Sequence, residues 1–144
     1  MVIVFLRFDI CYALGEYVNE LERNLPGHQN WEGSFFERLT EYGDWEANAF
    51  WRLHLELLQL ARSTNVNESV DRELSYMLLY IQQKVLNLIS AHFDKDDVFN
   101  ISNLTNEQLH EYQERFDMAI LGVVTGKVLP ESSFDLVNPL ANNA

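Results

Sequence analysis

The feature that most constrains this chain is the stretch Trp31–Trp51, which reads WEGSFFERLTEYGDWEANAFW. Aromatic side chains bury a large area per residue, so a segment this rich in them is predicted to nucleate the core. Five acidic residues share the stretch with a single base, Arg38, which places a negative field on its polar faces. The aromatic residues include all three tryptophans of the protein, together with Phe35, Phe36, Tyr42 and Phe50.

Cap signals divide this stretch into two helices. Ser34 and Glu37 have the spacing of a capping box, in which each side chain accepts a backbone N–H of the first turn. Gly43 suits the left-handed conformation that ends a helix, and Asp44 is predicted to cap the next helix at once, giving a sharp corner. The predicted structural anchors are Trp31, Ser34, Phe35, Glu37, Gly43, Asp44, Trp45, Phe50 and Trp51.

Three helices and a loop are predicted from the corner onward. The helix that begins there is predicted to reach about Arg62 and to be central, because it carries apolar residues on two faces. The next helix, roughly Ser69 to His92, is predicted to be the longest, with the clearest apolar period in the chain. Residues 93–103 form a loop with Phe99 and Ile101 turned inward. A second capping box at Thr105–Gln108 then opens a helix that is predicted to end at Gly122.

The two ends of the chain are less regular. Met1–Phe8 fits either a short edge strand or the first turn of a helix, and Asp9 is predicted to cap a helix that ends near Asn24. That helix would bury Tyr12, Ala13, Tyr17 and Leu21. The tail is predicted to pack back as an irregular strap through Val128, Leu129, Phe134, Val137 and Leu140. The expected fold is all-α, a single domain over residues 1–144 with about five helices.

Charge restricts the possible partners. The net charge is −12 and the ten basic residues are scattered, so no patch is available to neutralise nucleic-acid phosphates or anionic lipids. A basic protein is the natural complement. The lone Cys11 excludes an intrachain disulfide and fits a reducing compartment. Arg7 and Asp9 interrupt the apolar start, so neither a signal peptide nor a membrane span is predicted there, and the expected location is the cytoplasm.

Five ordered motifs carry a resemblance: WEGSF (31–35), YGDW (42–45), AFWRL (49–53), FNISNLTNEQLHEYQERF (99–116) and LPESSFDLVNPL (129–140). In this order the chain resembles the immunity protein 41 family of bacterial polymorphic-toxin systems, over roughly residues 27–140. The resemblance implies a non-enzymatic, cofactor-free protein that neutralises the C-terminal domain of a large exported toxin, often one of contact-dependent inhibition. It also implies a monomer that forms a 1:1 complex.

Occlusion of a nuclease is the predicted mechanism, since an acidic surface can occupy the basic field that binds RNA or DNA. An RNase or tRNase is the first expectation for the toxin and a DNase the second. The segment from Arg62 to Ala91 looks unlike the family and is an alternative contact surface. The predicted toxin contacts are Asp94, Asp96 and Asp97, then Glu32, Glu41 and Glu46, although several of these acids have helix capping as the alternative role.

Two other classes of protein share features with this sequence. Glu107 and His110 form an E-x-x-H, the spacing found in di-iron helix bundles, but such sites need a second copy and two more glutamates, and the sequence has no second copy. The other class is an acidic adaptor or nucleic-acid mimic without a cognate toxin, which shares the charge but not the motif order. His28, His54 and His92 stand alone and are predicted to be structural or surface residues.

Overall fold

Five α-helices joined by short connections make up the described part of the chain, in a computed structural model covering residues 19–64 and 67–141. No strand occurs within those ranges. The predicted all-α single domain is confirmed. The predictions for Met1–Phe8, Asp9 and Cys11 lie outside the described residues. The helices are α1 (Glu20–Arg23), α2 (Phe35–Tyr42), α3 (Ala47–Ser63), α4 (Arg72–Phe93) and α5 (Asn106–Thr125), followed by a 3-10 turn at Glu131–Ser133.

The start of α2 forms half of the predicted capping box. Ser34 Oγ accepts the N–H of Glu37 at 3.2 Å, as expected. The Glu37 carboxylate, however, accepts the N–H of Gly33 at 3.1 Å rather than that of Ser34. The Ser34 N–H already donates to the carbonyl of Trp31, so the glutamate bonds the donor one residue earlier. Ser34 and Glu37 are both buried, and their role is structural.

The corner (residues 43–46) between α2 and α3 forms, but its cap differs from the prediction. Gly43 is left-handed (φ 61°) and ends α2, as predicted. Asp44 does not cap α3; its carboxylate binds the Arg38 guanidinium at 3.0 Å. Glu46 is the cap, accepting the N–H groups of Asn48 and Ala49. Trp45 lies between the two acids, and its backbone N–H and carbonyl are bonded to the Asn103 side chain, so this residue stays outside the helix.

Helix α3 is the centre of the core, as its two apolar faces predicted. Its backbone packs most extensively against α5. The aromatic residues of the opening stretch converge there, with ring centroids of Phe35 and Trp45 4.7 Å apart and those of Phe50 and Tyr112 5.0 Å apart. Trp31 and Tyr42 are the exceptions: Trp31 is only partly buried and packs edge-on against Phe36 at 5.6 Å, and Tyr42 is 62% exposed. The stretch therefore supplies the core nucleus that its composition predicted.

Helices α4 and α5 differ from the predictions mainly at their ends. Asp71 caps α4 and the helix reaches Phe93, so the predicted start at Ser69 is slightly early. The complete capping box at Thr105 is confirmed. The predicted end at Gly122 is wrong, because α5 continues to Thr125 and ends at the left-handed Gly126. Gly122 is instead a packing position: a Cβ there would lie 2.9 Å from the Lys127 carbonyl oxygen.

The strap (residues 126–141) packs back on the helices through only some of the predicted residues: Val128 packs against the core and Phe134 against Arg115. Asn138 and Ala141 are its buried members. The Asn138 side chain donates to the carbonyl of Trp51 at 3.2 Å, on the central helix. Three apolar residues that were expected to hold the strap are about half exposed instead, namely Leu129, Val137 and Leu140. Polar contacts, which an apolar pattern does not reveal, fix this segment together with Val128 and Phe134.

Candidate binding surface at the aspartate loop

The aspartate loop (residues 94–103) joins α4 to α5 and is fixed to the corner. The Ser102 N–H donates to the Gly43 carbonyl at 3.0 Å. Asn103 brackets Trp45, accepting its N–H at 2.9 Å and donating to its carbonyl at 3.0 Å. Ile101 is buried, and its N–H donates to His92 Nδ1 at 3.0 Å. Because so many backbone groups are bonded, the loop is presented in a defined conformation.

The three aspartates lie at the start of this loop, directly after α4, and all are exposed. Asp94 Oδ1 accepts the N–H of Asp96 at 3.0 Å, and Asp97 Oδ1 accepts the N–H of Phe99 at 2.8 Å. Such bonds from a side chain to the backbone two residues on are typical of Asx turns. Each uses one acceptor site of the carboxylate, which has about four. The turns therefore shape the loop and leave most of its acceptor capacity facing solvent.

Apolar side chains flank these carboxylates. Val98 is fully exposed within the loop, and Phe93, the last residue of α4, has 43% of its surface exposed. Exposed aromatic and aliphatic groups beside charges are the composition from which desolvated interface anchors are built. The surface thus combines steering charges with groups that gain from burial.

The other predicted contacts, Glu32, Glu41 and Glu46, differ in their exposure. Glu32 and Glu41 are exposed, so both carboxylates face solvent. Glu46 is only partly exposed and its two oxygens cap α3, so its predicted contact role competes with a structural one. Of the acids predicted as contacts, the structure brings Asp94, Asp96 and Asp97 together on one loop.

A buried polar network under the strap was missed by the sequence analysis. Arg115 on α5 is 3% exposed and forms a short ion pair with Glu131 of the strap. Glu131 also accepts the N–H of Asn138 at 2.8 Å, and the Asn138 amide lies 2.9 Å from His54 Nδ1. The signal for His54 was its position on the apolar face of α3, four residues after Phe50. Nothing in the sequence pattern indicated its partners.

Burial sets the protonation state of this network. Desolvation, reinforced by the nearby Arg115 charge, lowers the pKa of His54 to about 4. The neutral imidazole accepts from Asn138 at Nδ1, so its proton is assigned to Nε2. Burial alone would raise the pKa of Glu131, but the Asn138 N–H and the Arg115 guanidinium outweigh it and hold that pKa below its usual range. The network ties α3, α5 and the strap together.

Arg115 Nε is a buried donor without a hydrogen-bond partner among the described residues. It borders a small cavity of about 30 Å³, which is also lined by His54, Met118 and Phe134. The guanidinium carbon lies 3.7 Å from the centre of the Phe134 ring. A space of this size holds about one water molecule, so the cavity is suited to hydrating this donor rather than to binding a substrate.

The described residues contain neither a group of metal ligands nor a membrane-spanning helix. Within residues 19–64 and 67–141, no three His, Cys, Asp or Glu side chains are grouped so that they could hold a metal ion. His110 of the E-x-x-H stacks on Phe93, with ring centroids 5.4 Å apart. None of the described helices combines the length and the apolarity needed to cross a bilayer.

Compared with protein-family models, curated proteins and solved structures, the chain has no match. The resemblance to the immunity protein 41 family therefore stays a prediction. The fold and the surface define a class on their own: a single helical domain that presents an anchored acidic loop.

Proposed function

We propose that this protein is an immunity protein that binds a basic toxin domain and blocks its nucleic-acid-binding surface. The observation that carries the proposal is the aspartate loop, which holds three exposed carboxylates at its start and is fixed to the corner at its end by Ser102 and Asn103. The net charge of −12 supports the same class of partner. A nuclease binds phosphate through basic side chains, so a carboxylate surface competes for the same field.

The mechanism is occlusion in two stages. Opposite charges accelerate the encounter between the acidic protein and the basic toxin. Exposed apolar groups beside the loop, Phe93 and Val98, then become buried and slow dissociation. The toxin is an RNase by first preference, and the complex is 1:1 in the cytoplasm. No catalytic residue, cofactor, nucleic acid or membrane takes part.

Co-expression tests the function. The C-terminal domain encoded by the gene directly upstream is expressed with and without this protein, and cell survival and co-purification are measured. We expect a stoichiometric complex and rescue of growth. Equal killing in both strains, with no complex, would contradict the proposal and favour an acidic adaptor without a cognate toxin.

The aspartate loop is tested by removing its charge while keeping its shape. In the triple variant Asp94→Asn, Asp96→Asn and Asp97→Asn, the amide oxygens at positions 94 and 97 can still accept the two turn hydrogen bonds. We expect association with the toxin domain to slow about tenfold at low salt, within the range of electrostatic steering. Association rates are measured by stopped-flow fluorescence.

A matched control removes the same number of charges elsewhere. Asp135→Asn, Glu111→Gln and Glu114→Gln change three exposed acids outside both the loop and the segment Arg62 to Ala91. If both triple variants slow association equally, only the overall charge matters. An unchanged rate in a folded loop variant would place the contact on another surface, such as the segment Arg62 to Ala91.

A further inference from the structure

A groove separates α4 from α5 beside the aspartate loop. The two helices are tied at one end by His92 Nε2 and Asn106 Oδ1, 3.2 Å apart, and further along by Gln82 Nε2 and Asp117 Oδ1, 3.3 Å apart. Between these ties the helices part and leave an open groove of about 520 Å³. Its lining residues are Leu86, Ile89, Ser90, Phe93, Asp94, His110 and Gln113.

The chemistry of the groove changes along its length. Leu86, Ile89 and Phe93 give it an apolar base, and Phe93 is stacked with His110 at an angle of 10°. Ser90 and Gln113 add oxygen acceptors. Asp94 supplies a carboxylate and is the first residue of the aspartate loop. Neither Lys nor Arg is among the described residues that line the groove, although Lys95 follows Asp94 in the aspartate loop.

We propose that this groove binds an arginine side chain of the basic protein partner. This inference rests on the proposed function and identifies where one residue of the partner would be buried. The aliphatic stem of arginine matches the apolar base. Its guanidinium stacks on aromatic rings and carries five N–H donors, for which Asp94, Ser90 and Gln113 provide acceptors. Lysine, a compact and strongly hydrated charge, matches an aromatic wall less well.

Charge decides between a foreign partner and a second copy of this chain. Two copies, each with a net charge of −12, repel one another, and the groove adds a carboxylate to that repulsion. A cationic partner gains from both features. The groove is also continuous with the aspartate loop through Asp94, so one partner can contact the two together.

The groove is tested directly with a small probe. The ¹⁵N-labelled protein is titrated with acetyl-Leu-Arg-Leu-amide and with its neutral isostere, acetyl-Leu-citrulline-Leu-amide, and amide shifts are mapped by NMR. We expect shifts concentrated at Ser90, Phe93, His110 and Gln113, with the arginine peptide binding about two- to fivefold more tightly, the scale of an exposed charge pair.

Two variants and a control complete the test. Phe93→Ala and Asp94→Asn are each expected to weaken binding of the arginine peptide about two- to fivefold, as loss of a cation–π contact or a surface ion pair would. Tyr76→Ala, an exposed aromatic on the same helix but outside the groove lining, is expected to leave binding unchanged. Dispersed or absent shifts, equal binding of the citrulline peptide, or unaltered binding in both groove variants would overturn the inference.

Failure of the groove and failure of the function are distinguishable. If the toxin domain binds the wild type and the Phe93→Ala variant equally, the groove inference is wrong and the proposed function stands. If the toxin domain binds neither, while the arginine peptide maps to the groove, the groove stands and the proposed function is wrong.

Discussion

At the scale of single residues, the most informative side chain is His54. It is buried on α3 and accepts from Asn138, while the charge of Arg115 lies nearby. Protonation at Nδ1 would remove the acceptor and place a second positive charge in the same buried network. Burial, which disfavours the charged imidazolium, and then the nearby Arg115 charge lower the pKa of His54 to about 4.

This pKa makes a prediction for stability. A histidine with a folded pKa near 4 and an unfolded pKa near 6.5 binds more protons when unfolded, so stability falls as pH drops from about 6.5 to 4. The shift corresponds to about 3 kcal/mol in the free energy of unfolding. We expect the loss to be smaller in His54→Gln, which keeps an acceptor for Asn138. Urea unfolding across this pH range measures both, and parallel curves would count against the assignment.

At the scale of elements, the corner between α2 and α3 controls where the aspartate loop lies. The carbonyl of Gly43 accepts from Ser102, and a Cβ added to Gly43 would collide with the backbone carbonyl of Asn100. The glycine is thus required twice, by its left-handed backbone and by the approach of the loop. The sequence predicted the first requirement from the helix end; the second depends on a residue 57 positions away.

Alanine substitution separates these two requirements. Gly43→Ala should lose about 1–2 kcal/mol from the left-handed backbone and a further ~1–3 kcal/mol from overpacking against Asn100. Gly27→Ala is the matched control, since Gly27 is also left-handed (φ 88°) but a Cβ there meets open space. Gly27→Ala should lose only about 1–2 kcal/mol, the part that comes from the left-handed backbone. Chemical denaturation measures both, and equal losses would show that the loop does not press on the corner.

At the scale of the whole molecule, charge is the dominant property. A net charge of −12 on a single domain produces a field that extends beyond any one loop. Exposed acids on α2, the aspartate loop and α5 all contribute to it. Steering therefore belongs to the whole surface, while the aspartate loop and the groove are proposed to decide where the partner docks.

Ionic strength tests this division. Added salt screens the field over about 10 Å at 0.1 M, so the association rate with the toxin domain should fall at least about tenfold between low and high salt. The dissociation rate, set by buried contacts, should change much less. Biolayer interferometry at several salt concentrations measures both rates. An association rate independent of salt would exclude electrostatic steering.

The sequence by itself determined the helical class, the core nucleus in Trp31–Trp51, the central place of α3 and the cap of α5 at Thr105. Each depends on local propensity or on a repeating apolar pattern, which neighbouring residues carry. Tertiary structure decided the rest. Trp45 is buried in the core, and the cap of α3 is Glu46 rather than the predicted Asp44. The Asn138 side chain contacts His54, which lies 84 positions earlier in the chain. The groove lies between α4 and α5. Such contacts join residues that are distant in sequence, so no local pattern encodes them.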